Sequence, residues 1–376
     1  LPRFLADYLD GGATEEQTLR ANVSGWKDIA LRQRVLIDVD NVDTRTELAG
    51  QSCSMPVALA PLGLAGMMAQ RGEAQAVKAA NAAEVPFTLS TVGICPLAEV
   101  KAAATAPFWF QLYMIRDRGY VENLLKKAWD SGCQTLIFTI DLPLPGPRHR
   151  DTRNGLNSAG ARSVALKAQQ LLSRPGWLWQ VAIKGKPLTF GNLSDAVPEA
   201  SNLDSFKQWV DTQFDASVTW QAIEWLRERW PGKLILKGIL EVDDAKAAVN
   251  VGADGIVVSN HGGRQLDGVA ATARKLPDIV AAVGNDTEIL VDGGIRNGVD
   301  VFRALALGAN GVMIGRPWAW ALAAEGQAGL TRLLNTWQQE LKLAMTLTGV
   351  TRIADINETH LDRTNTNELT QAGEQQ

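Results

Sequence analysis

The chain has 376 residues, 46% of them apolar and 21% charged, with a net charge of −4. Such a composition fits a globular protein with a large core, and the mild charge gives no general reason to expect nucleic acid as a partner. No apolar run approaches the ~20 residues that a membrane-spanning helix needs.

The three cysteines, Cys53, Cys95 and Cys133, are far apart and lack any Cys-x-x-Cys spacing. They read as reduced thiols, which points to the cytosolic side of a cell, and no metal site is expected. The chain opens on Leu1 rather than Met, so the absence of a visible signal peptide carries little weight.

Residues 1–50 precede the first predicted strand and are expected to cap the fold. Eight strands follow: Val57–Pro61, Phe87–Thr91, Trp109–Tyr113, Thr135–Asp141, Leu234–Lys237, Gly255–Ser259, Glu288–Asp292 and Gly311–Gly315. Most are continuous apolar runs, as parallel strands buried on both faces require. Segments with helical periodicity lie between them, among them Glu73–Ala83, Arg118–Ser131, Val242–Val251 and Gly298–Leu307. Eight strands alternating with helices predict an α/β fold of the (β/α)8 TIM-barrel type. A doubly wound open sheet is the alternative, and the lack of a G-x-G-x-x-G after the first strand counts against it. The stretch from about Leu142 to Thr219 is far too long for an ordinary βα loop and marks an insertion after strand four. Residues 1–363 are expected to form one barrel domain, followed by a disordered polar tail at 364–376.

In such a barrel the active site lies at the C-terminal ends of the strands. Strand two ends on Ser90-Thr91, and strand three runs into Gln111-Leu112-Tyr113. Strand four ends Thr139-Ile140-Asp141, with Arg148 shortly after, and strand five ends on Lys237. Strand six gives Ser259-Asn260-His261-Gly262-Gly263-Arg264, strand seven Asp292-Gly293-Gly294-Ile295-Arg296, and strand eight Gly315-Arg316. Apolar strands that all end in polar or ionisable groups are hard to explain by stability alone.

His261 is the candidate catalytic base, since imidazole suits proton abstraction near neutral pH. Asp141 could orient it and stabilise its protonated form; the plainer reading of Asp141 is a cap before the next loop. Arg264 and Arg148 offer planar forks for a substrate carboxylate, and Tyr113 and Tyr8 could add hydroxyl donors. The glycine-rich turns after strands seven and eight, each followed by a helix, read as a phosphate site, which by itself does not specify a flavin. Lys237 would lie in the barrel mouth and need a negative partner.

The combination Trp-Phe-Gln-Leu-Tyr (109–113), Leu-Lys-Gly (236–238), Ser-Asn-His-Gly-Gly-Arg-Gln-Leu-Asp (259–267), Asp-Gly-Gly-Ile-Arg (292–296) and Gly-Arg-Pro (315–317) resembles the FMN-dependent L-2-hydroxy acid oxidase and dehydrogenase family. The resemblance spans Leu1 to about Ile356. Its bacterial respiratory L-lactate dehydrogenase branch is similar at Leu-Pro-Arg-Phe-Leu (1–5), Asp-Gly-Gly-Ala (10–13), Pro-Gly-Pro-Arg-His-Arg-Asp (145–151) and Ala-Met-Thr-Leu-Thr-Gly (344–349). The resemblance implies FMN as cofactor, His261 as base and Asp141 as its partner. It implies substrate binding by Arg264, Arg148, Tyr8 and Tyr113, and places Lys237 beside flavin N1. Ser90, Gln111 and Thr139 would contact the isoalloxazine ring, with Ala60-Pro61 on its other side. Asp292, Gly293, Gly294, Arg296, Gly315 and Arg316 match the ribityl and phosphate site, and Ser259 is counted with the cofactor-binding groups. Val92 stands where glycolate oxidase has Trp, which implies a differently shaped pocket.

Residues 148–194 carry eight basic residues (Arg148, Arg150, Arg153, Arg162, Lys167, Arg174, Lys184, Lys186) against one acid, Asp151, a local charge of +7. Leu166, Leu171, Leu172, Trp177, Leu178, Trp179, Val181 and Ile183 are interleaved with them. This pattern suits an anionic membrane surface; the alternative is a solvated lid over the active site. Together these readings predict a peripheral enzyme on the cytoplasmic face of the inner membrane. It would oxidise a small 2-hydroxy acid, L-lactate above all, pass electrons to a quinone, and assemble as a homo-oligomer, a tetramer by resemblance. The rivals are an oxygen-using oxidase, a mandelate-type dehydrogenase, and a phosphate-binding barrel acting as a membrane adaptor.

Overall fold

The computed structural model describes residues 1–154, 156, 161–196 and 212–362. Eight short parallel strands alternate with helices: β1 Val57–Leu59, β2 Thr88–Ser90, β3 Trp109–Leu112, β4 Thr135–Thr139, β5 Lys233–Ile239, β6 Gly255–Val258, β7 Glu288–Val291 and β8 Gly311–Ile314. Their hydrogen-bonded order is β1-β8-β7-β6-β5-β4-β3-β2. A parallel bridge between Leu59 and Phe87, with Leu59 N donating to the Pro86 carbonyl at 2.8 Å, joins β1 to β2. The sheet thus closes into a (β/α)8 barrel with an N-terminal cap and a long insertion after β4.

Strand composition explains the closure. A layer of inward side chains from alternate positions, including Ala58, Trp109, Ile137, Ile235, Val257 and Met313, fills the barrel interior. The alternate residues, such as Phe110, Leu136, Phe138 and Ile256, join the larger core beneath the helices. A two-stranded antiparallel hairpin (Thr46–Leu48 with Gln51–Cys53) plugs the N-terminal end of the barrel. Its Leu48 and Cys53 complete the inner layer, and Trp109 Nε1 donates to Gln51 Oε1 at 3.2 Å.

The observed strands stop one or two residues before several of the predicted ends. Pro61, Thr91, Tyr113 and Asp141 therefore stand on the loops that leave the sheet. Strand β5 runs the other way, past Lys237 to Ile239, with a register shift between Lys237 and Ile239. At the C-terminal mouth lie helices α1 (Arg3–Asp10) and α2 (Gln17–Lys27). The Trp26 indole on α2 donates to the Gly293 carbonyl at 2.7 Å.

The insertion after β4 folds into helices His149–Arg153 and Ala161–Leu172, a turn at Pro175–Trp177 and a π-helical turn at Leu178–Ile183. Among the described residues, no helix is long and apolar enough to cross a membrane. The polar tail predicted from 364 onward lies outside the described residues.

Candidate active site

All eight strands open onto one cavity of about 570 Å³ at the C-terminal mouth. Its wall includes His261, Tyr8, Tyr113, Arg148, Arg264 and Lys237, together with Ala60, Pro61, Thr139, Asp292, Gly293, Gly294, Arg296, Gly315 and Arg316. Ser90, Gln111, Asp141 and Ser259 stand behind that wall, each bonded to groups nearer the cavity or facing them.

His261 sits at a backbone angle φ of +58°, followed by Gly262 at +64° and Gly263 at +73°. Three successive left-handed residues make a tight spiral, and for a non-glycine residue this conformation is held at a cost by its surroundings. The backbone N–H of His261 donates to Ser259 Oγ at 3.0 Å. An amide pair on the neighbouring residue adds a second brace: Asn22 Nδ2 donates to Asn260 Oδ1 at 2.7 Å, and Asn260 Nδ2 returns a bond to Asn22 Oδ1 at 2.9 Å.

The His261 ring is fixed by Asp141, with Nδ1 2.8 Å from Asp141 Oδ1. Burial works against ionisation of Asp141, but the His261 ring and the Lys237 ammonium outweigh it and hold the carboxyl below its ordinary range. An ionised carboxylate only accepts, so Nδ1 carries the proton and Nε2 is left as the acceptor. Asp141 reaches this position because Gly238 has no side chain. A Cβ there would stand 2.6 Å from Asp141 Cβ, and the residue has φ +118°. Asp141 is therefore the histidine's partner in geometry and not only a loop cap.

Lys237 is buried, yet its ammonium is retained. Burial lowers its affinity for the proton, while the Asp292 and Asp141 carboxylates overcome this and raise it. Its Nζ lies 2.9 Å from Asp292 Oδ2 and donates to Ser259 Oγ at 2.9 Å. Asp292 thus supplies Lys237 with a negative partner from within the protein, in addition to the reduced flavin ring expected from the sequence.

Tyr8 is flanked by two cations, with the Arg264 guanidinium 4.8 Å and that of Arg148 5.6 Å from its ring centroid. Arg264 donates from one nitrogen to the carbonyls of Tyr8 and Gly11, at 2.7 and 3.1 Å. Burial and the neighbouring Arg148 charge push its pKa down. Arg148 Nε lies 3.2 Å from Asp151 Oδ2. Burial, with Asp141 and Tyr8 nearby, drives the Tyr113 hydroxyl well above its ordinary value, so it stays protonated as a donor.

Beside Arg264, and sharing the Gly11 carbonyl with it, Arg316 donates to the carbonyls of Leu9, Gly262 and Gly11, each at 2.9 Å. Burial, then the Arg264 and Arg296 charges, lowers its pKa to about 9. Burial lowers that of Arg296 as well. Half-buried guanidiniums crowded in this way favour an anion between them. The glycine turns and the helix start at Arg316 add backbone N–H groups, whereas those at Gly298 and Asp300 are taken by Glu340 and Asn297.

Orphaned polar atoms fit the rest of a flavin. Gln111 Nε2, Thr139 Oγ1 and Asp292 Oδ1 are buried without a hydrogen-bond partner, whereas the Gln111 carbonyl is committed to Ser90 Oγ at 2.8 Å. These groups demand partners that a ring edge and a ribityl chain supply. The residues therefore fit FMN: Arg296, Arg316 and the glycine turns would take the phosphate, and Asp292 the ribityl hydroxyls. Lys237, Thr139 and Gln111 would face the ring.

Several contributors were invisible as such in the sequence. Phe214 lies 4.9 Å from the Tyr113 ring and lines the cavity, but it arrives from the far end of the insertion and carries no local signal. Asn22 and Asp151 act through partners distant in sequence or hidden in a basic run. Gly238 could have been found, because a glycine interrupting an apolar strand signals close approach of another group.

The fold and site thus define a (β/α)8 barrel whose mouth gathers several guanidiniums beside a carboxylate-oriented histidine. The FMN-dependent dehydrogenase profile matches residues 1–363. An L-lactate dehydrogenase of Caulobacter sp. (strain K31) is 52% identical over 364 residues, 97% of this chain and 95% of its own length. An L-lactate dehydrogenase of Yersinia pestis (strain Pestoides F) is 51% identical over 357 residues, 95% of this chain and 93% of its own. Among solved structures, the monotopic membrane protein (S)-mandelate dehydrogenase superposes with a TM-score of 0.90 at 32% identity, covering 96% of this chain and 95% of its own. Mandelate oxidase gives a TM-score of 0.81 at 37% identity, with 96% and 94% covered. A further mandelate oxidase structure holds an FMN adduct. The chain belongs to the FMN-dependent dehydrogenase family, and its cofactor is FMN.

Proposed function

We propose that the protein oxidises L-lactate to pyruvate and passes the electrons to the respiratory quinone pool. The observation that carries the chemistry is the His261–Asp141 pair at 2.8 Å, facing a cavity that also holds Arg264 and Arg148. Arg264 and Arg148 hold the substrate carboxylate, and Tyr8 and Tyr113 offer hydroxyls to its oxygens. His261 Nε2 takes the proton that leaves the substrate, and Asp141 stabilises the imidazolium. FMN, when bound, supplies the two-electron acceptor. The choice of L-lactate rests on relatives of that name at 51–53% identity.

The quinone reading rests on the insertion. Leu172, Trp179 and Ile183 are exposed at 75%, 55% and 50%, next to the exposed Arg174, Lys184 and Lys186. Their neighbours Val181 and Trp177 point inward, and the Trp177 indole donates to the Met67 carbonyl at 2.8 Å. One face of the segment is thus anchored on the barrel, and the other presents Trp, Leu and Ile among cations, as an interfacial segment does. The likeness to the monotopic membrane protein (S)-mandelate dehydrogenase supports a peripheral membrane placement; the cytoplasmic face of the inner membrane is part of the proposal. A homo-tetramer is part of this reading.

The likeness to mandelate oxidase favours a second reading, in which oxygen accepts the electrons. Turnover of L-lactate with and without a short-chain quinone, with peroxide measured, decides between them. Fast turnover with quinone and slow peroxide formation is expected. Rapid peroxide formation without quinone would overturn the dehydrogenase reading.

A further inference from the structure

The arm that leaves the π-helical turn, residues 184–193, is fastened at two places. Near its start, Gln70 Nε2 donates to the Lys184 carbonyl at 3.2 Å. Arg71 NH1, held by Glu99, donates to the Gly185 and Pro187 carbonyls at 3.2 and 2.9 Å. Near its end the arm presses on the loop that follows β2. Gly191 N donates to the Gly93 carbonyl at 3.0 Å, and a Cβ on Gly191 would stand 2.5 Å from Pro96 N. No larger residue fits there, so the next side chain, Asn192, is driven into the β2 end.

Asn192 is 7% exposed, and all its polar groups named here are engaged. Its Oδ1 accepts from Leu97 N at 2.8 Å, its Nδ2 donates to the Ser90 carbonyl at 3.2 Å, and its own carbonyl accepts from the Tyr120 hydroxyl at 2.7 Å. Ser90 in turn donates from Oγ to Gln111 Oε1, which turns the Gln111 amide nitrogen away as an unpaired buried donor. A line of hydrogen bonds therefore runs from the insertion through Asn192 and Ser90 to Gln111.

We infer that Asn192 is a positioning residue: it fixes the Ser90–Gln111 pair, and through it the donor that Gln111 offers the flavin ring. The inference rests on reading Gln111 as a ring-facing group. A buried amide that spans two strand ends holds them in one register, and a partner lost from such a network is felt by the remaining members.

The test compares Asn192→Ala, Asn192→Asp, Gln111→Ala and Gln70→Ala by FMN titration, visible absorption of the bound flavin and thermal midpoint. Asn192→Asp keeps the acceptor for Leu97 N but sets a carboxylate against the Ser90 carbonyl. Both Asn192 variants are expected to weaken FMN binding by about two- to tenfold, the net worth of one hydrogen bond, and to shift the flavin absorption, Asp more than Ala. Gln70→Ala, which loosens only the start of the arm, is expected to change neither. A lowered thermal midpoint with FMN affinity and spectrum unchanged would reduce Asn192 to a structural brace and overturn the inference. No effect of Gln111→Ala would overturn the ring-facing reading and the inference with it; an effect there without one at Asn192 would overturn the inference alone. Where the Asn192 variants fail to fold, Tyr120→Phe removes the hydroxyl that holds the Asn192 carbonyl. A spectral shift in the direction of that of Gln111→Ala, and smaller, is then expected, and no shift would overturn the inference.

Discussion

At the scale of single residues, function depends on groups whose alternatives have been removed. His261 Nδ1 is committed to Asp141, so only Nε2 faces the cavity. Replacing His261 with Gln is expected to leave FMN bound and to slow flavin reduction by L-lactate by at least ~10²–10⁴-fold, the usual worth of a general base. Stopped-flow absorbance under anaerobic conditions measures it, and reduction at the wild-type rate would refute the assignment. Gly238 is the less obvious member of the pair. Gly238→Ala places a methyl within 2.6 Å of Asp141 at a φ that L-residues avoid. A loss of about 1–3 kcal/mol in stability is expected, with activity reduced further because Asp141 must move; urea unfolding and flavin reduction rates check both. The sequence carried His261, Arg264 and the glycine turns plainly, since each follows closely on an apolar strand, and Arg148 by its place at the start of the insertion. It did not carry Phe214 or Asn22, whose roles come from where distant segments return.

At the scale of elements, the loop 259–267 is bound to α2. Asp267 accepts from Thr14 Oγ1 and Thr18 N, both at 2.8 Å. Burial opposes its ionisation, but the Thr18 N–H and Thr14 hydroxyl, with further backbone donors, together outweigh it and bring its pKa down to about 2. A carboxyl held below its unfolded value of ~3.9 stabilises the fold above that pH, and the contribution disappears as pH falls toward the folded value. Thermal midpoints measured between about pH 5 and 2 should therefore fall less steeply in Asp267→Asn than in wild type, from a lower starting point; parallel curves would contradict this. The eight strands were legible because most are continuous apolar runs, but their ends were not. Apolar character continues through Pro61 and Tyr113 after the ladder has stopped, and in β5 the ladder continues through Gly238, where composition suggests a break. The insertion was legible as a basic, Trp-bearing excursion. Its division into an anchored face and an exposed face required the fold.

At the scale of the whole molecule, the barrel keeps two surfaces apart: a mouth that handles a hydroxy acid and an insertion whose outer face carries Trp179 and Ile183. The +7 charge of 148–194 already sets Asp151 against the eight cations, and it is further offset within the protein because Arg150 pairs with Glu16. The combined variant Trp179→Ser, Ile183→Ser, Lys184→Glu, Lys186→Glu leaves the inward face intact. It is expected to abolish sedimentation with anionic phospholipid vesicles while sparing L-lactate oxidation with an artificial dye; unchanged sedimentation would refute the membrane surface. The central claim is narrower: a histidine base and paired arginines act on a 2-hydroxy acid beside bound FMN. Anaerobic bleaching of the ~450 nm flavin band, followed against a panel of L- and D-2-hydroxy acids, tests it most directly. Rapid bleaching by L-lactate, with D-lactate and the corresponding unsubstituted acids inert, is the predicted result. A flavin that L-lactate and every other 2-hydroxy acid leave oxidised would contradict it.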